Sequence, residues 1–165
     1  MSVTKHRKDA PASVACFVLT VSDTRSAADD ASGDAIAQAL TSAGHAVTGR
    51  AIVKDDPQVV REVVSVQART VQAIITTGGT GITSRDSTYE AIASLLDKRL
   101  DGFGELFRML SYEEIGSAAM LSRACAGTIG RAAVFALPGA AHAVRLAMEK
   151  LVLPELGHVV RELSR

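Results

Sequence analysis

The chain has 165 residues, which suits one domain, and its 18 Lys plus Arg balance 18 Asp plus Glu for a formal net charge of zero. That balance argues against nucleic-acid binding by bulk electrostatics, since no basic excess exists to displace counterions from phosphates. Hydrophobic residues make up 47% and aromatics only 4%, with Trp absent, so the chain can build a core and that core is aliphatic.

Residues 1–13 are polar, Lys-rich and contain Pro11, the pattern of a frayed tail ahead of a domain over 14–165. No apolar segment follows the basic residues of 1–9, unlike a secretory signal, and no apolar run nears the roughly 20 residues of a membrane span. Residues 14–21, VACFVLTV, form an unbroken apolar run of the kind found in buried parallel strands. A polar loop follows, in which Asp29-Asp30 reads as solvated. Ile36, Ala39, Leu40 and Ala43 then recur at helical spacing, with Gly44 as a stop.

A second strand is predicted over 45–53, and Asp56-Pro57 supplies an N-cap and a first-turn proline for a helix with Val59, Val60, Val63, Val64 and Ala68 on its apolar stripe. Residues 71–77 read as a third strand, closed by Gly78-Gly79-Thr80-Gly81. Helices are expected over 89–96 and from Phe103 through Leu121, and a strand over 131–137 that ends at Pro138-Gly139. The final helix, about 141–163, contains Pro154, which should kink or split it. Alternating strands and helices predict a single α/β domain, a mainly parallel sheet sandwiched between helices. Cys16 and Cys125 are too few for a disulfide or zinc framework and read as buried free thiols. The expectation is a soluble cytoplasmic protein without nucleic-acid or membrane partners.

In an open parallel sheet, ligands bind beyond the carboxyl ends of the strands. The segments that follow the predicted strands are Ser22-Asp23-Thr24, Asp55-Asp56, residues 78–88 and 137–139, and they should share one rim. Glycines at 78, 79 and 81 would let backbone N–H groups approach an anion, helped by a helix N-terminus beyond them, with Thr80 and Thr83 as further donors. The segment is neither a Walker A loop nor GxGxxG, and a plain strand-to-helix turn would show the same glycines. Arg85 could neutralise charge there. Asp86 beside a phosphate needs an intervening metal, and with Asp55 it suits a Mg²⁺ bridge; equally, Asp86 or Ser87 could cap the next helix. Ser122-Arg123 could hold an anion or belong to an ordinary surface loop, and His6, His45, His142 and His158 show no metal-ligand spacing.

VLTVSDTR (18–25), SGD (32–34), Lys54-Asp55-Asp56, TTGGTGITSRDSTYEA (76–91), GFGELFRMLSYEEIGSAAMLSRACAG (102–127) and FALPG (135–139) together resemble the MoaB/MogA family of molybdenum cofactor biosynthesis, nearest its MoaB branch. The likeness runs from about Val14 to the C-terminus. It implies a molybdopterin-binding α/β fold, homotrimers or homohexamers, and contact with other proteins of the pathway. It also implies adenylyl transfer from Mg-ATP to molybdopterin with release of pyrophosphate, and the alternative is a non-catalytic molybdopterin carrier of the MoaB type. By the resemblance, Asp86 and Asp55 are the catalytic and Mg²⁺-binding carboxylates. Gly78, Gly79, Thr80 and Gly81 hold the ligand, and Ser22, Asp23, Arg85, Ser122, Pro138 and Gly139 line the pocket. Two departures stand out. Ser87 and Tyr89 replace the family's valine and proline after Asp86, removing a preset helix start, and Ala136 stands where adenylylating relatives carry asparagine.

Overall fold

The structure, a computed structural model, describes residues 8–165, so residues 1–7 of the expected tail, His6 included, lie outside it. The chain runs β1 (Ala15–Val21), α1 (Ala31–Ser42), β2 (Ala46–Val53), α2 (Pro57–Gln67), β3 (Ala73–Thr77), α3 (Thr88–Ala93), β4 (Lys98–Arg99) and α4 (Asp101–Ile115). A 3₁₀ turn (Gly116–Leu121) leads to β5 (Cys125–Ile129), β6 (Ala132–Leu137), α5 (Ala141–Ala147), a π turn (Met148–Val152) and α6 (Leu153–Leu163).

The six strands form one sheet in the order β2-β1-β3-β6-β5-β4. β1 pairs in parallel with β2 and β3, and β3 with β6, as the sequence predicts. β5 runs antiparallel to both β6 and β4, and it is β4 and β5 that the apolar pattern does not reveal. Alternate residues of each central strand enter different cores, the expected period-two pattern for a sheet covered on both faces. Val18 and Ile75 pack with Leu40, Phe107, Val144 and Leu156 under α1, α4, α5 and α6. Leu19 and Ile74 pack with Val60, Val64 and Ile92 under α2 and α3.

Helix boundaries follow local chemistry. Asp56 caps α2 by accepting from the amides of Gln58 and Val59 at 2.8 and 3.2 Å, with Pro57 opening the helix. The helix expected from Phe103 to Leu121 stops instead at Ile115, because Gly116 takes φ +66° and the chain tightens into 3₁₀ geometry. The last helix is split as expected, by a π turn placed immediately before the Pro154 turn, where the missing proline N–H cannot continue the α ladder. Cys16 and Cys125 are buried free thiols, and burial pushes their pKa values to about 12 and about 11. Among the described residues, no helix is long and apolar enough to cross a membrane.

Candidate functional site

The strand order 2-1-3 means that the chain leaves β1 to one side and returns on the other, which opens a crevice at the carboxyl ends of β1 and β3. Gly78 sits in that crevice. Its amide donates to the Leu137 carbonyl at 3.1 Å, and Thr77 Oγ1 donates to the Pro138 carbonyl at 2.9 Å, which joins the exits of β3 and β6. A Cβ on Gly78 would lie 2.1 Å from the Val21 carbonyl oxygen, and φ is +96°, so both space and backbone demand glycine there. Gly139 packs opposite, where its Cβ would stand 3.5 Å from Gly78 Cα. Its carbonyl accepts from Ser32 Oγ at 2.7 Å and Arg25 Nη2 at 3.2 Å, which ties the β6 exit to the β1–α1 loop.

Both predicted carboxylates turn onto the glycine segment. A Cβ on Gly79 would meet Asp55 Oδ2 at 2.7 Å, and one on Gly81 would meet Asp86 Oδ2 at 2.6 Å. Asp55 Oδ1 accepts from Ser87 Oγ at 2.7 Å and Ser87 N at 3.2 Å. Asp86 Oδ2 accepts from Thr83 N at 2.9 Å and Thr83 Oγ1 at 2.6 Å, and this side-chain bond leads the causes that hold the Asp86 pKa below the usual aspartate value. Neither Asp86 nor Ser87 caps α3, because each is already committed: Asp86 closes its own turn and Ser87 orients Asp55. The expected helix N-terminus does not reach the turn either, since α3 has six residues and its Thr88 amide donates back to the Gly79 carbonyl at 3.0 Å.

These groups suit a hard divalent cation. Magnesium is typically held by one or two carboxylates together with substrate phosphates, not by an all-protein cage. Among the described residues, no three or more of His, Cys, Asp and Glu gather into a metal cluster. The buried hydroxyl of Thr88, which has no hydrogen-bond partner, lies 2.0 Å from the point where a Gly79 Cβ would be, beside Asp55 Oδ2. Asp55, Asp86 and the Thr88 hydroxyl are the oxygen groups here that could hold Mg²⁺.

Other predicted residues take more specific roles than spacing suggests. Arg85 donates to Asp23 Oδ2 from Nη2 at 2.9 Å and Nε at 3.1 Å, and Asp23 Oδ1 accepts from the Asp55 amide at 3.1 Å. The Arg85 guanidinium leads the causes that lower the Asp23 pKa, and the pair links the β1 and β2 exits with the loop after Gly81. Ser22 Oγ accepts from the amides of Thr24 and Arg25 at 3.3 and 3.1 Å, which folds its own loop. Thr80 is buried, so its side chain packs under the turn, and Thr83 spends its hydroxyl on Asp86.

Asp30 and Arg123 depart from the solvated-loop and surface-loop readings. Asp30 is only 2% exposed: it caps α1 through the Gly33 amide at 3.0 Å and accepts from Thr20 Oγ1 at 2.8 Å and Arg50 Nη2 at 3.2 Å. Arg123 belongs to no ordinary surface loop. Its Nε donates to the carbonyls of Thr80 and Gly81 at 3.3 and 2.9 Å, its Nη2 to those of Gly81 and Asp86, its Nη1 to Glu90, and its guanidinium lies 5.1 Å from the Tyr89 ring centroid. Ala136 is fully buried, paired with Thr76 of β3 and Cys125 of β5.

The site residues divide between two clefts. Ser22 and Asp23 line one of about 680 Å³, floored by Ala51, Ile52 and Val53 and edged by Arg25, Arg50 and Lys54. Ser122 and Arg123 line another of about 440 Å³ with Tyr89, Glu105 and Arg108, while Ser122 and Pro138 also meet in a small cavity of about 80 Å³. The glycine turn touches both groups, through the Asp23–Arg85–Asp55 links on one side and Arg123 on the other. Ser22 and Ser122 therefore share a rim but not a single pocket.

Residues 17–158 match the family model described as a probable molybdopterin binding domain. Molybdenum cofactor biosynthesis protein B of Bacillus cereus is 55% identical over 168 aligned positions, covering 100% of this chain and 99% of that protein. A crystal structure of a molybdenum cofactor biosynthesis protein B superposes with TM-score 0.90 at 53% identity over 95% of this chain and 99% of the other. The tungsten cofactor synthesizing protein MoaB from Pyrococcus furiosus gives TM-score 0.83 at 38% identity over 94% of this chain and all of that one. The chain belongs to the MoaB/MogA family of molybdenum cofactor biosynthesis proteins.

Proposed function

We propose that this protein acts in molybdenum cofactor biosynthesis by binding molybdopterin and Mg-ATP and transferring the adenylyl group to the terminal phosphate of molybdopterin. The observation that carries this reading is the placement of the Asp55 and Asp86 carboxylates against Gly79 and Gly81 of one glycine turn. In the transfer, an oxygen of the molybdopterin phosphate forms a bond to the α-phosphorus of ATP, the bond from that phosphorus to the bridging oxygen breaks, and pyrophosphate leaves. Two anions must approach each other, so the site has to cancel charge.

The chain's own groups supply most of that. Carbonyl oxygens of Gly79, Thr80, Gly81 and Asp86 are drawn to Thr88 N and Arg123, and among the described residues no acceptor takes the amides of Gly79 and Thr80. Successive amides freed in this way form an anion-binding concavity. Asp55 and Asp86 would hold Mg²⁺, which when bound offsets phosphate charge as a Lewis acid. Clefts on both sides of the turn offer one lobe to each substrate. A homotrimer or homohexamer, in contact with other proteins of the pathway, is part of the same proposal; exposed Leu106, Met109, Tyr112 and Met120 support self-association.

A second reading has its own support. Ala136 stands where adenylylating relatives carry asparagine, and the buried hydroxyl of Thr76, its neighbour across the sheet, has no hydrogen-bond partner, so a polar contact that an asparagine could make at this strand end is missing. On that reading the protein binds or carries molybdopterin without transfer. Incubation with molybdopterin and Mg-ATP, followed by mass spectrometry, tests the choice. Adenylylated molybdopterin with stoichiometric pyrophosphate is the expected product, whereas bound molybdopterin without product selects the carrier.

A further inference from the structure

Arg123 enters the site from far along the chain, at the junction between the 3₁₀ turn and β5, yet it spends its donors on the glycine loop 37 to 43 residues away. Of the five N–H groups of a guanidinium, the Nε hydrogen is shared by the Thr80 and Gly81 carbonyls, both Nη2 hydrogens go to the Gly81 and Asp86 carbonyls, and one Nη1 hydrogen goes to Glu90. One N–H remains. A side chain so engaged is badly placed to bind an anion directly, and well placed to set where the backbone points. Each peptide unit carries the C=O of one residue and the N–H of the next on opposite sides, so gathering the carbonyls of Thr80, Gly81 and Asp86 on one side turns the amides of Gly81, Ile82 and Ser87 to the other.

We propose that Arg123 is the positioning residue of the glycine turn: it collects the Thr80, Gly81 and Asp86 carbonyls and so fixes the amides of the same peptide units, that of Gly81 on the Asp86 carboxylate, that of Ser87 on Asp55 and that of Ile82 toward the polyphosphate. The inference rests on the reading of that turn as the phosphate site. Lysine cannot replace it, because the task needs a planar fork that meets several acceptors at once and a flat face to lie on Tyr89. Glu90 fixes the far end of the fork, and this ion pair leads the causes that hold the Glu90 pKa low.

The full-length chain with Arg123→Lys and Arg123→Met tests this by two readouts. Amide hydrogen exchange of residues 78–86, measured without nucleotide, should rise in both variants by about tenfold, as expected when charge-assisted bonds are lost from an exposed loop. Mg-ATP affinity by calorimetry should fall by about tenfold or more in both, with Arg123→Lys behaving like Arg123→Met and not like wild type. Free guanidinium, and not ammonium, should restore part of the protection to Arg123→Ala. Glu90→Gln, which alters an exposed group and leaves the cores intact, should give the same exchange change at smaller amplitude, and it carries the test if the arginine variants do not fold. Unchanged exchange in these variants, or full retention of protection by lysine, overturns the positioning role. Failure of the wild-type chain to bind Mg-ATP would instead remove the phosphate-site reading, while the nucleotide-free exchange result would still stand on its own.

Discussion

Thr83 gives Asp86 both its amide and its hydroxyl, and the Gly81 amide and Arg123 charge act in the same direction, so the carboxylate stays ionised below its ordinary value of 3.8. As pH falls, the unfolded chain protonates this group first. Its contribution to stability is therefore complete above 3.8 and disappears as pH drops through the lower folded value. The stability difference between wild type and Asp86→Asn in urea should hold constant from neutral pH to about 5 and close at more acid pH. The same residue carries a kinetic expectation: Asp86→Ala should cost about 100- to 1,000-fold in pyrophosphate release with the fold retained, and full activity in that variant would remove Asp86 from the chemistry. At this scale the gathering of Asp55, Asp86 and the glycines is legible in the sequence, because each follows the end of a recognisable strand. Asp30 and Arg123 are not legible in the same way. One is buried by a loop that folds over it, and the other acts on backbone carbonyls 42 residues distant, which no spacing rule encodes.

The elements tell a parallel story. β1, β3 and β6 announce themselves because strands buried on both faces need unbroken apolar runs, and α2 does so through Asp56-Pro57. β5 hides because its first four residues, CAGT, are small, and they are small for a reason that only the packed sheet reveals. A Cβ on Gly127 would lie 2.4 Å from the Lys98 carbonyl oxygen and 2.7 Å from Leu96 Cδ1, so the close approach of β4 requires glycine. Gly127→Ala should therefore push the two strands apart and destabilise the domain by about 1–3 kcal/mol in chemical denaturation. Since β5 begins two residues after Arg123, the same variant should also raise hydrogen exchange in the glycine loop. A stability within experimental error of wild type would show that β4 gives way without cost.

Across the whole molecule, the two cores account for the buried faces of the sheet, but the outer side of α4 is left over. Leu106, Met109, Tyr112 and Ile115 recur three residues apart at 46–63% exposure, and Met120 and Leu121 extend the strip across the 3₁₀ turn. Phe103 and Phe107 on the opposite side of the helix stay buried against Phe135 and against each other, so the helix is apolar on both sides. Asp101, Glu105, Glu113 and Glu114 keep part of its surface charged, but a continuous exposed apolar strip on a helix already packed on its other side marks a contact surface. Under the proposed self-association another copy would cover this strip, which borders the cleft that holds Arg123, because Met120 lines both. Assembly and site should then respond together. Light scattering of the wild-type chain should return a mass of three or six copies. Met109→Glu combined with Ile115→Glu should reduce that mass without loss of helical signal, since both side chains are exposed in the single chain and neither joins a core. A wild-type mass of one copy at all concentrations would leave the strip without its proposed cover.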